Sequence, residues 1–135
     1  MRHTVLVALL SATLPAFAQS SLTADWQWKA AHRCNNTSPA LTISGIPEGT
    51  KSLAVKMNDL DFRNKDHGGG TVAHGGEAVA EIPEGALTAD YLGPCPANFA
   101  SFGHSYQITV RALAADGSEL ARSVKAKDFS ASTAK

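Results

Sequence analysis

Residues 104–113 constrain the fold more than any other stretch of the chain. Tyr106, Ile108, Val110 and Ala112 alternate there with Gln107, Thr109, Arg111 and Leu113. A period of two puts the first set on one face of an extended strand. Asp116-Gly117 follows, a dipeptide suited to a tight hairpin turn. Residues 118–129 then return as the partner strand, anchored by Leu120, the Ser123-Val124 pair and Phe129. A short helix over 119–127 is the competing expectation. Alternation recurs over 22–29 and 52–58, the latter with Leu53, Val55 and Met57 on one face, and short strands are expected at 40–44, 71–73 and 78–82. Turn clusters fall at 35–39 and 46–50. The Ile-Pro-Glu-Gly of 46–49 returns at 82–85 as a strand-ending turn, with flanks too different for an internal repeat. Residues 59–70, polar and glycine-rich, read as a loop, and 130–135 as a frayed tail. No stretch carries a sustained helical stripe. The expected class is all-β, an antiparallel β-sandwich or a close relative.

The N-terminus reads as an address. Met1-Arg2-His3 is basic, residues 5–14 are mostly apolar, and Ala16-Phe17-Ala18 offers the small residues of a signal-peptidase site. Cleavage is expected after Ala18, leaving one domain over 19–135. The apolar run is half of the ~20 residues a membrane span needs, so no stable membrane insertion is expected, and the protein is expected to be periplasmic or secreted. Twelve basic residues balance twelve acidic ones, which leaves no electrostatic footprint for nucleic acid. The oligomeric state is left at monomer or homodimer.

Export changes how the two cysteines read. Cys34 and Cys95 are an even count in an exported chain, which suggests a disulfide. Two free thiols or two metal ligands are the alternatives. There is no Cys-x-x-Cys to support a zinc ribbon or a thioredoxin-like redox centre.

A series of short motifs then falls in a distinctive order. It runs from Cys-Asn-Asn-Thr-Ser-Pro-Ala-Leu at 34–41 through Gly-Ile-Pro-Glu-Gly-Thr at 45–50 to Asn-Asp-Leu-Asp at 58–61. His-Gly-Gly-Gly at 67–70, Tyr-Leu-Gly-Pro-Cys-Pro at 91–96 and His-Ser-Tyr-Gln-Ile at 104–108 complete it. This order resembles the phosphatidylethanolamine-binding protein family, in its bacterial Raf-kinase-inhibitor-like branch. The resemblance implies a β-sandwich with a small anion-binding pocket at one end. The family's Asp-Pro-Asp-Ala-Pro is similar to the segment from Asp59 to Arg63, which keeps both acids and loses both prolines. The pocket histidine after it matches His67, with Gly68 where the branch has Trp. Pro96 falls in the Gly/Pro-rich turn, where Ala97 replaces a second proline, and His104 and Tyr106 match the His-x-Tyr that follows. The family's C-terminal helices are reduced or absent.

The resemblance implies a ligand site of Asp59, His67, Pro96, His104 and Tyr106; the Cys34–Cys95 bridge that export suggests would lie beside it. Imidazole and phenol groups donate hydrogen bonds to an anion, and a carboxylate orients an imidazole. The amides of Gly68, Gly69 and Gly70 would add an anion nest. His32 and His74 read as solvated, and Trp26 and Trp28 as core or sheet surface, with a carbohydrate-stacking platform as the alternative. No Gly-x-Ser-x-Gly or His-Glu-x-x-His is present, so no catalytic residue and no cofactor are expected. The expected function is non-enzymatic binding of a small anionic or phosphate-bearing ligand. The alternatives are a protein-interaction module inhibiting a protease or kinase, and a metal site drawn from Asp59, Asp61, His67, His74 and His104.

Overall fold

The computed structural model of the chain describes residues 21–135; the expected leader at 1–18 and its cleavage site lie outside the described residues. Strands β1 (Thr23–Trp26), β2 (Leu41–Ser44) and β5 (Val79–Ile82) form one antiparallel sheet in the order β1-β2-β5. Strands β3 (Ser52–Asp59), β4 (Lys65–Ala73), β6 (His104–Leu113) and β7 (Glu119–Phe129) form a second, in the order β4-β3-β6-β7. A single 3₁₀ turn at Ala30–His32 is the one helical segment among the described residues. The all-β antiparallel class therefore holds, and β7 is followed by turns rather than helices. No helix among the described residues is long and apolar enough to cross a membrane.

The alternation seen in the sequence becomes the core. Leu53, Val55 and Met57 of β3, and Tyr106, Ile108, Val110 and Ala112 of β6, are buried in one cluster with Ala24, Trp26, Leu41, Ile43 and Ile82 of the smaller sheet. Each large apolar side chain removed from water contributes about 1.5–3 kcal/mol. Trp26 and Trp28 are both buried, so they build the core and offer no stacking platform. Trp28 sits among Trp26, His32, Tyr106 and Phe129 at ring-centroid distances of 5.9, 5.9, 6.1 and 5.3 Å. These edge-on contacts fix Tyr106 from beneath.

Several local expectations are corrected. The segment 59–70 is a loop only over 60–64; β4 begins at Lys65 and runs through all three glycines. Glycine content misled here because a neighbouring backbone needs the space. A Cβ on Gly69 would lie 1.9 Å from the Val55 carbonyl oxygen, and Gly69 pairs with Ala89. The anion nest fails for the same reason, since the Gly68 amide donates to Asp66 Oδ1 and the Gly69 amide to the Ala89 carbonyl. β1 stops at Trp26 rather than reaching 29. Residues 119–127 are strand, not helix. Ser123 and Phe129 point inward, but Leu120 and Val124 are exposed. Ala112 pairs with Ala121 and Leu113 with Glu119, so Leu120 is the extra residue of a bulge. The tail is tied down: the Ala131 amide donates to the Phe99 carbonyl and the Lys135 amide to that of Trp28.

His32 is buried, not solvated. Its Nδ1 accepts a hydrogen bond from the Lys29 amide at 3.0 Å. Burial holds its pKa below the usual value, opposed by the nearby Glu84 charge. The unfolded chain therefore protonates at a pH where the folded one does not. His32's contribution to stability is complete above the unfolded value of 6.5 and is lost as pH falls below it. Urea unfolding between about pH 7.5 and 5 is expected to show declining stability that His32→Gln flattens. An unchanged slope in the variant contradicts this assignment.

Candidate functional site

The end of β3 meets the start of β6, and the candidate site is built there. Asp59 is the last residue of β3 and pairs in register with Tyr106 of β6 and with Lys65 of β4. Residues opposite one another in an antiparallel pair share a face, and so do residues two apart along a strand. His104, Tyr106, Asp59 and Lys65 are thus turned to one side.

His67 reaches that side through a β-bulge. Lys56 pairs with Gly69, but Asn58 pairs with Asp66, so Met57 stands opposite both His67 and Gly68. Without the extra residue, His67 would fall on the solvent face with Asn58; one inserted residue inverts the parity of the strand. Gly68 makes this possible at φ +71°, and a Cβ there would lie 2.2 Å from the Asp90 carbonyl oxygen.

The side chains converge on a cavity of about 220 Å³ lined by Asp59, His67, His104 and Tyr106, with Phe62, Lys65, Cys95 and Ala97. Asp59 is buried, and its Oδ1 accepts the amides of Asp61 and Phe62 at 3.0 and 3.1 Å. Its Oδ2 lies 2.7 Å from His104 Nδ1. The carboxylate accepts, so Nδ1 carries the proton and Nε2 is the remaining ring nitrogen. His67 Nδ1 likewise donates to the Leu92 carbonyl, 2.9 Å away. Tyr106 packs edge-on against His67 at 5.4 Å and is stacked with His104 at 6.3 Å. Its hydroxyl is buried and makes no hydrogen bond of ordinary geometry, although Asp59 and the Cys95 backbone lie close enough to act on it. Burial, reinforced by the Asp59 charge, pushes the phenol well above its usual pKa. It therefore remains a donor through the neutral range.

Four of the five expected site residues line this cavity. Pro96 does not: it is buried between two lining residues, and its carbonyl accepts the Phe99 amide. Lys65 was missed. It is the cavity's one lysine or arginine, and its only sequence signal was a position two residues before His67. The alternative metal set does not assemble. Asp61 Oδ2 accepts the Ser105 amide at 2.7 Å, and His74 Nε2 lies 2.7 Å from the Glu77 carbonyl beyond the far end of β4. No group of three or more His, Cys, Asp or Glu suited to a metal ion occurs among the described residues. Cys34 and Cys95 stand at disulfide-bonding distance with Cα atoms 4.5 Å apart, and Cys95 forms part of the cavity wall.

Two sheets with an Asp–His–Tyr–His cavity at one end define a class. The family pattern of the phosphatidylethanolamine-binding proteins matches residues 10–135, and the chain belongs to that family. A 26-residue stretch is 69% identical to the UPF0098 protein YbcL of Escherichia coli (strain K12), covering 19% of this chain and 14% of that protein. The crystal structure of E. coli YbcL, described as a new member of the mammalian PEBP family, superposes with a TM-score of 0.57 at 22% identity. That match covers 84% of this chain and 99% of the other, and it shows the shared fold.

Proposed function

We propose that this chain is an exported, non-enzymatic binding protein for a small anion of the phosphate or phosphate-ester class. The observation that carries this reading is the convergence of Tyr106, His104, His67 and Lys65 on one cavity with a single carboxylate. That carboxylate already accepts two amides and faces an imidazole. It serves to hold His104 rather than to repel an incoming anion. The phenol and the lysine supply donors, and each imidazole, its Nδ1 proton already committed, donates to an anion from Nε2 in its doubly protonated form. The leader-like N-terminus and the Cys34–Cys95 pair support an oxidising destination, periplasmic or secreted.

Calorimetric titration with inorganic phosphate tests the reading. Wild-type protein is expected to bind, and His104→Ala to lose at least about tenfold in affinity while its circular dichroism keeps the wild-type β signature. Equal affinity in the two proteins contradicts the site. A second reading, a module that inhibits a protease or kinase, draws on the exposed Leu60 and Phe62 beside the cavity. A stable enzyme complex insensitive to His104→Ala would favour it.

A further inference from the structure

β4 is an outer strand of the larger sheet, paired with β3 along one side. Its other side is covered over only part of its length. Gly69 exchanges both backbone hydrogen bonds with Ala89, and the His67 carbonyl accepts the Leu92 amide. Backbone groups alternate in direction along an antiparallel strand. Gly69 points away from β3, so Gly70 and Val72 point towards it, and Thr71 and Ala73 point away. The His74 amide, which donates to the Lys51 carbonyl, fixes the same parity. Thr71 and Ala73 are exposed, and their outward N–H and C=O groups have no backbone partner among the described residues. The chain before Ala89 does not cover them, because Leu87 is buried, its Cα 3.3 Å from the Cβ position of Gly70. The remaining outer strands carry charges that deter pairing: Asp25 on β1, Glu81 on β5, Lys125 and Lys127 on β7. Residues 68–76 hold no Asp, Glu, Lys, Arg or Pro.

We propose that this stretch of β4 is a docking edge for a second copy of the chain, antiparallel and related by a twofold axis at Val72, which joins the two large sheets into one. Thr71 then stands opposite the partner's Ala73, and Ala73 opposite the partner's Thr71. All of these residues turn their backbone groups outward, so each free donor meets a free acceptor, and the contact is self-complementary. A shift of one residue would set an outward-pointing residue against an inward-pointing one and lose the bonds. The window also fits in length. Ala89 occupies the edge beside Gly69, so an added strand must leave the edge by the position opposite Gly69. In this register that position is the partner's Gly75. There β4 has already ended at Ala73, and a glycine pair begins the bend, with Gly76 at φ +107°. A longer extended peptide would run into Ala89. No charge lies within the window to repel across the axis. The contact is short, so the dimer is weaker than a permanent one and forms with rising concentration.

Sedimentation equilibrium from about 10 μM to about 1 mM protein tests the association. The wild-type mass is expected to climb from monomer towards dimer over that range. Thr71→Pro removes an outward N–H and no bond to β3. It is expected to keep the β circular-dichroism signature and to raise the dissociation constant at least about tenfold. Two cysteine variants test the register without a proline. Val72 faces the partner's Val72 across the axis in a non-hydrogen-bonded pair, with Cα atoms about 4.5 Å apart, within disulfide reach. Thr71 lies diagonally from the partner's Thr71 at about 7–8 Å, beyond that reach. Under mild oxidation Val72→Cys is expected to form a covalent dimer, and Thr71→Cys to do so at least about tenfold more slowly. A wild type that stays monomeric throughout, or a dimer that survives Thr71→Pro in folded protein, overturns the docking edge. So does equal cross-linking of the two cysteine variants, which also decides the matter if Thr71→Pro fails to fold.

Discussion

Cys34→Ser is expected to lower the melting temperature by roughly 15 °C under non-reducing conditions. The pair spans 61 residues, and closing a loop of that size in the unfolded chain is worth about 4 kcal/mol in the chain-entropy account. In a domain of this length, 1 kcal/mol moves the midpoint by about 4 °C. The folded state already packs the two segments against one another. The Cys34 amide donates to the Pro94 carbonyl at 2.9 Å, and the backbone around Gly93 packs so tightly that a Cβ there would lie 1.8 Å from the Asn35 carbonyl oxygen. The two cysteine segments are therefore already held together, and the covalent link stabilises chiefly by restricting the unfolded chain. Scanning calorimetry of wild type, wild type with reductant, and Cys34→Ser checks this. The last two are expected to melt together, well below the first; three coincident melts contradict the disulfide's role.

Gly68→Ala is expected to destabilise the fold by about 2–4 kcal/mol and to reduce phosphate binding beyond detection. Two costs combine. The residue must hold φ +71°, which an L side chain adopts only with strain, and its Cβ would meet Asp90 and Ala89 backbone atoms at 2.2–2.6 Å. Relief requires β4 to drop its bulge. Without it, Lys65 and His67 return to the parity that faces solvent, and the cavity loses its cation and one imidazole. Gly76→Ala is the informative control, because that glycine also has positive φ (+107°) but nothing lies within 4 Å of its Cβ position. Urea denaturation and phosphate titration of both variants check the difference. A Gly68→Ala protein with the stability and affinity of the Gly76→Ala control contradicts the role given to the bulge.

The fold was legible where side chains alternate and illegible where glycine carries the structure. β3 and β6 declare themselves through Leu53, Val55, Met57, Tyr106, Ile108 and Val110, because one buried face writes a period of two into the sequence. β4 has no such pattern. Its bulge breaks the period, and its glycines admit the 89–90 backbone, so a strand looks like a loop. The exposed Leu120 and Val124 misled for a related reason, since a bulge at Leu120 shifts the pairing of β7 and no local signal marks it. His32 looked polar and hence solvated, yet Trp28 and the 3₁₀ turn enclose it. Of the site, Asp59, His67, His104 and Tyr106 were legible through the order of short motifs that resembles the family. Spacing alone does not place Asp59 against His104, 45 residues away. Lys65 escaped because its orientation depends on the bulge, a tertiary feature.

The central claim is that His67, His104 and Tyr106 together receive an anion. Following histidine imidazole and backbone resonances by NMR during a phosphate titration tests it most directly. The account predicts saturable shifts at His67, His104, Tyr106 and Lys65, with His32 and His74 unmoved. Shifts confined to His74, or to the exposed Arg111 and Arg122 of the large sheet, would contradict it, as would a titration that moves nothing.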